Sequence, residues 1–113
     1  MSVLDHARSH FESIGVQSIE VSEWKDEFGK PSIIYWNPIN LHEKNILFKK
    51  SGNMSDASIL ADILLMKGLD KDGKKLFKPE DKIDLTYKVD SDVIAKIANA
   101  MVQNITPEEV KKN

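Results

Sequence analysis

The chain has 113 residues and a formal net charge of −2, which fits one domain and leaves no excess of Lys and Arg for gripping nucleic acid. Hydrophobic residues at 41% and charged residues at 30% are ordinary for a globular protein with one modest core. The absence of cysteine excludes disulfides, thiol catalysis and thiolate metal sites.

Leu4, Ala7, Phe11 and Ile14 recur at helical spacing and Gly15 follows them, which predicts a short amphipathic N-terminal helix. Ile19 to Trp24 alternates apolar and polar residues, and Pro31 to Trp36 is β-branched and aromatic. With the turn-forming residues from Lys25 to Lys30 between them, they predict a β-hairpin over about Ile19 to Trp36. Two strands alone are marginal in water, so helices or a neighbouring subunit must cover the hairpin.

After Asn37-Pro38 the pattern turns helical. Asn40 and Glu43 form a capping-box pattern ahead of a helix from Leu41 to Lys50, with Gly52 as its stop. Ser55 or Asp56 caps the next helix, Ala57 to Lys67, which Gly68 ends. Pro79 opens a short helix through about Tyr87. From Asp90 or Ser91 another helix carries Val93, Ile94, Ile97, Ala98, Met101 and Val102 as an apolar stripe. Thr106-Pro107-Glu108-Glu109 is a further helix start with few residues left to follow it. The expected fold is therefore α+β in a single domain: an N-terminal helix and a hairpin packed on a mainly helical part over about residues 40–112. Ile63, Leu64, Ile97 and Met101 are expected in the core.

Within the helix from Ala57, residues Ile59 to Met66 leave almost no polar face, so it must be covered on all sides. Either it is a central core helix, or one side, through Leu60 and Met66, continues into a partner surface. Trp24, Phe28, Tyr35 and Trp36 cluster in or beside the hairpin. They are half of the eight aromatic residues, more than a small hairpin easily buries, which makes them candidate interface residues too.

Asp70-Lys71-Asp72-Gly73 looks at first like a calcium loop. Counted from Asp70, Gly73 arrives two places early, the fifth place is Lys74, and the twelfth is Asp81 instead of Glu. Lys71, Lys74, Lys75 and Lys78 would also repel a cation. The sequence is that of a turn, with Gly supplying positive φ and Asp bonding its own backbone. His6 and His10 share a helical face, but without a neighbouring Glu they make no zincin motif, and His42 has no reason to lie close. No nucleophile elbow, phosphate loop or dinucleotide fingerprint occurs. No enzyme activity, metal or cofactor is expected. No segment reaches the roughly 18 apolar residues of a membrane span, and Met1 to His6 lacks the basic start and apolar core of a signal peptide. A cytosolic location is expected.

The run from Leu64 to Asp81, an apolar helix, an Asp-x-x-Gly turn, the Leu76-Phe77 pair and then Pro79-Glu80-Asp81, resembles the middle of tail assembly chaperones from long-tailed bacteriophages. Glu20 to Trp24 followed by Ile34-Tyr35-Trp36 is similar to that family's strand pair, and Leu41-His42-Glu43 to its helix opening. Ile94 to Glu109 is similar to its closing helices. The likeness starts near Ile19 and covers about three-quarters of the chain; each motif is short, so its specificity lies in their order. Lys78 stands where the family usually has a hydroxyl cap, and the helix from Leu4 to Ile14 has no counterpart. The resemblance implies a non-catalytic protein of the host cytoplasm, absent from the mature virion. Such a protein coats the tape measure protein before tail tube polymerisation, meets tail tube components and forms homo-oligomers. It also implies a frameshifted longer product, with which Lys111-Lys112-Asn113 is compatible. The alternative from another class is a small, non-catalytic adaptor or regulatory module that binds another protein through the hairpin face.

Overall fold

The computed structural model describes residues 2–51 and 57–103. Its elements in chain order are α1 (Val3–Ile14), β1 (Gln17–Lys25), β2 (Pro31–Trp36), α2 (Leu41–Ser51), α3 (Ser58–Lys67), a 3-10 turn (Pro79–Asp81), α4 (Lys82–Tyr87) and α5 (Ser91–Gln103). This is the α+β arrangement expected, a helix and an antiparallel hairpin followed by helices. The helix stop at Gly52, the cap at Ser55 or Asp56, the helix start at Thr106-Pro107-Glu108-Glu109 and the tail Lys111-Lys112-Asn113 lie outside the described residues.

Local chemistry sets the boundaries. Ser2 caps α1, its hydroxyl accepting from the Asp5 N–H while the Asp5 carboxylate accepts from the Ser2 N–H. Asn40 and Glu43 make the same reciprocal pair at α2, at 2.8 and 3.1 Å. Lys78, lacking a hydroxyl, leaves half of such a box: its N–H donates to Asp81 at 2.7 Å.

Core residues come from every element except α1 and the 3-10 turn. In the hairpin, Gln17, Ile19 and Val21 pair with Trp36, Ile34 and Ser32, and this face turns inward. Val21, Ile34 and Trp36 are buried there against Leu47, Ile59, Ile63, Leu64, Ile97 and Met101. Helix α3 is central and packs on α5, α2 and α4. Its two charged residues inside are paired. Asp62 meets Lys82 at 3.0 Å. Lys67 reaches both Glu43 oxygens at 3.0 Å and the Pro38 carbonyl at 3.4 Å, tying α2 and the preceding loop to α3.

Two details go beyond the expected hairpin. First, Tyr35 and Leu69 exchange backbone hydrogen bonds at 2.9 and 2.8 Å, so the far edge of β2 is met by the chain leaving α3. Leu69 also bridges to Lys75, making a miniature second hairpin. Second, the turns of the two hairpins are copies. In each, the Asp N–H donates to the Lys carbonyl at 2.8 Å and the Gly N–H to the Asp carbonyl at 3.0 Å. Each Asp carboxylate accepts from the backbone N–H groups of the residue two on and the Lys four on, at 2.8 and 3.0 Å. Gly29 and Gly73 take φ of 80° and 83°, the left-handed position of a type I turn with a bulge. The sequence behind both is Asp-x-x-Gly-Lys, at 26–30 and 70–74.

Candidate functional site

The second turn delivers Leu76-Phe77 to the surface, and Gly68 decides where the ring rests. The Leu76 N–H donates to the Gly68 carbonyl at 3.1 Å. A Cβ on Gly68 would lie 3.1 Å from the Phe77 ring and 2.9 Å from the Leu64 carbonyl oxygen, so the ring lies where only glycine leaves room. Phe77 thereby forms a wall between two apolar grooves. One, of about 330 Å³, is lined by Trp24, Ile33, Ile34 and Leu76. The other, of about 260 Å³, is lined by Leu47, Leu65, Met66 and Pro79, with the Asp62 carboxylate at its side.

The six candidate interface residues separate. Trp24 and Met66 come to opposite sides of Phe77, both half-buried. Trp24 is turned there by the register break in β1, where Ser22, Glu23 and Trp24 bulge between the Val21–Ser32 and Lys25–Pro31 pairs. Tyr35 lies on the outer sheet face and lines a third concavity with Val16, Asn37 and the Asp70 turn. Leu60 lies near the opposite end of α3, beside Leu85 and Ile94. Phe28 stands at the hairpin tip, 80% exposed. Trp36 is a correction: at 4% exposure it is a core residue and offers a partner no surface. Inward alternation on β2 puts it there, beside Ile34 and Ser32, and its Nε1–H has no acceptor among the described residues.

Lys25, Lys75 and Lys78, neighbours in sequence of residues that line the Trp24 groove, are exposed, as is Lys74; the Lys75 ammonium turns to the carbonyl of Met66, which lines the other groove. Glu23, beside Trp24, is held by Lys96 at 2.9 and 3.0 Å, and that hydrogen bond holds its carboxyl below the usual carboxylate range. Asp70 is likewise lowered, by the backbone N–H of Lys74 foremost and then those of Asp72 and Gly73. Its Oδ1 accepts from the Asp72 and Lys74 N–H groups, which is the work of a turn and not of a cation site. His6, His10 and His42 are exposed, and no group of three His, Asp or Glu among the described residues converges as a metal cage.

Comparison with known protein families, with curated proteins and with solved structures gives no match. Sequence reasoning missed Ile33 and Leu65 as groove walls and took Leu76-Phe77 only as one part of the run from Leu64 to Asp81. It also missed the bareness of α1, none of whose residues is buried: Val3 is 83% and Leu4 59% exposed. The available signal was the short linker Gly15-Val16 after a stripe with no assigned partner.

Proposed function

We propose that the chain is a tail assembly chaperone of a long-tailed phage or prophage. In this reading it binds the tape measure protein in the host cytoplasm, keeps it soluble until tail tube components polymerise around it, and self-associates while doing so. The observation that carries the reading is the ordered run from Leu64 to Asp81, flanked by the strand and helix motifs in the same order as in that family. The two solvent-open apolar grooves beside Phe77 support it, because a long helical client presents apolar stripes that such grooves accept. The ordering is a likeness of motifs, and the client is its most specific consequence.

Co-expression tests it directly. The tape measure protein is expected in the soluble fraction only when this chain is present, since covering apolar segments suppresses aggregation. A client that stays insoluble with both the short chain and any extended form refutes the chaperone reading. Mass spectrometry of infected or induced cells tests the extended product alone, and its absence removes only the frameshift. The adaptor reading is favoured by one observation, Phe28 standing bare at the hairpin tip. If Phe28→Ala abolishes partner capture while Met66→Asp leaves it intact, the adaptor reading replaces the chaperone.

A further inference from the structure

Among the described residues, Asp62 is the only buried carboxylate. Helix α3 holds it in the lining of the Met66 groove, with 4% of its side chain exposed. Lys82 approaches Oδ1 at 3.0 Å and keeps 41% of its own side chain in solvent. That contact neutralises the charge, yet an ionised carboxylate has about four acceptor sites and one ammonium does not fill them. No described residue donates a hydrogen bond to Oδ2. An acceptor so nearly buried is costly unless a donor meets it.

The groove fixes the shape of that donor. Its volume of about 260 Å³ lies below the roughly 300–1,000 Å³ of pockets for drug-sized ligands, so it holds one side chain and not a stretch of chain. The Met66 thioether and the Phe77 ring are surfaces on which a flat aromatic ring packs. A partner's ammonium or guanidinium fits less well. Lys82 already meets Asp62, and the Lys75 ammonium lies on the Met66 carbonyl, so a third positive charge would enter beside two.

We propose that the Met66 groove takes one tryptophan side chain of the client, with its ring against Met66 and Phe77 and its indole N–H donated to Asp62 Oδ2. Indole N–H is a donor only, so it brings no acceptor that the groove would leave unmet, as a tyrosine hydroxyl does. The Trp24 groove has no carboxylate in its lining and serves as the internal comparison. The inference deepens the chaperone reading and rests on it only for which protein carries the tryptophan.

NMR titration of the full chain with indole and with benzofuran, the same ring system with oxygen in place of N–H, tests the site. Indole is expected to shift the amide signals of Leu65, Met66 and Phe77. It should bind at least about tenfold more tightly than benzofuran, the effect of one hydrogen bond to a charged acceptor. Asp62→Leu should remove that preference while benzofuran still binds. Where Asp62→Leu lowers the melting point, Asp62→Asn takes its place, and the weaker amide acceptor should cut the preference several-fold. Equal affinity for the two probes, a preference that survives both substitutions, or shifts confined to Trp24, Ile33 and Leu76 overturns the proposal. So does butylammonium binding the Met66 groove more tightly than indole. In the co-expression experiment each tryptophan of the tape measure protein is replaced by leucine in turn. At least one replacement should lower the soluble yield as far as Asp62→Leu does. If none does, this inference falls and the chaperone reading stands. A wild-type chain that prefers indole yet leaves the client insoluble loses the chaperone reading and keeps the site.

Discussion

Gly68 and Gly73 need glycine for opposite reasons. Gly68 has an ordinary φ of −65°, but a methyl group there would press on Phe77 and the Leu64 carbonyl. Gly68→Ala is expected to cost about 1–3 kcal/mol by overpacking and to shift the wall shared by both grooves, read by thermal unfolding and by Trp24 fluorescence. Gly73 has open space but φ of +83°, so Gly73→Ala should cost about 1–2 kcal/mol through backbone strain and leave Trp24 unmoved. Beside it, Asp70 has a folded pKa below its ordinary value of 3.8. A carboxylate so depressed contributes stability that is complete above the unfolded value and is lost as pH falls through the folded one. Asp70→Asn is therefore expected to flatten the acid limb of the stability curve below about pH 4 and to leave its neutral limb parallel to wild type. An Asp-Gly turn is readable from residue types alone; that two distant turns are the same object needed the repeated Asp-x-x-Gly-Lys, short enough to pass as ordinary loop composition. Trp36 was ambiguous for a different reason. Alternation alone does not say which face of a hairpin is inward until a helix is placed on it. Trp36→Ala should cost about 3–5 kcal/mol of folding stability, measured by denaturant unfolding.

At the level of elements, the two apolar helices divide by what surrounds them. The stripe of α5 was legible because its period marks one face, and Val93, Ile94, Ile97, Ala98 and Met101 are all buried. Helix α3 has no such period. Its half-buried Leu60, Leu65 and Met66 differ from buried Ile63 and Leu64 only through neighbours that arrive from elsewhere in the chain. Nothing in the spacing marks Asp62 and Lys67 as inward-facing, since their partners Lys82 and Glu43 sit on other elements. Leu64→Ala is expected to cost about 2–5 kcal/mol, because the side chain is wholly inside. Leu4→Ala in α1 should change the unfolding free energy of dilute protein by no more than about 0.5 kcal/mol, although both residues are leucines on helices.

For the whole molecule, the fold presents a covered face of a small sheet, two grooves on either side of one phenylalanine, and a helix held away from both. The outer edge of β1 is the long free edge, and it carries Glu20, Glu23 and Lys25. Charges of that kind discourage edge-to-edge pairing. The Tyr35–Leu69 exchange sets an order of events in time. The hairpin closes between neighbours in sequence and can form within microseconds. The strap at its other edge joins residues separated by the whole of α2 and α3, and it cannot close until α3 has reached the sheet. Refolding should therefore protect the amide of Ile34, which faces β1, before that of Tyr35, which faces Leu69. Tyr35 becomes an internal clock for the docking of α3, and pulse-labelled hydrogen exchange would read it.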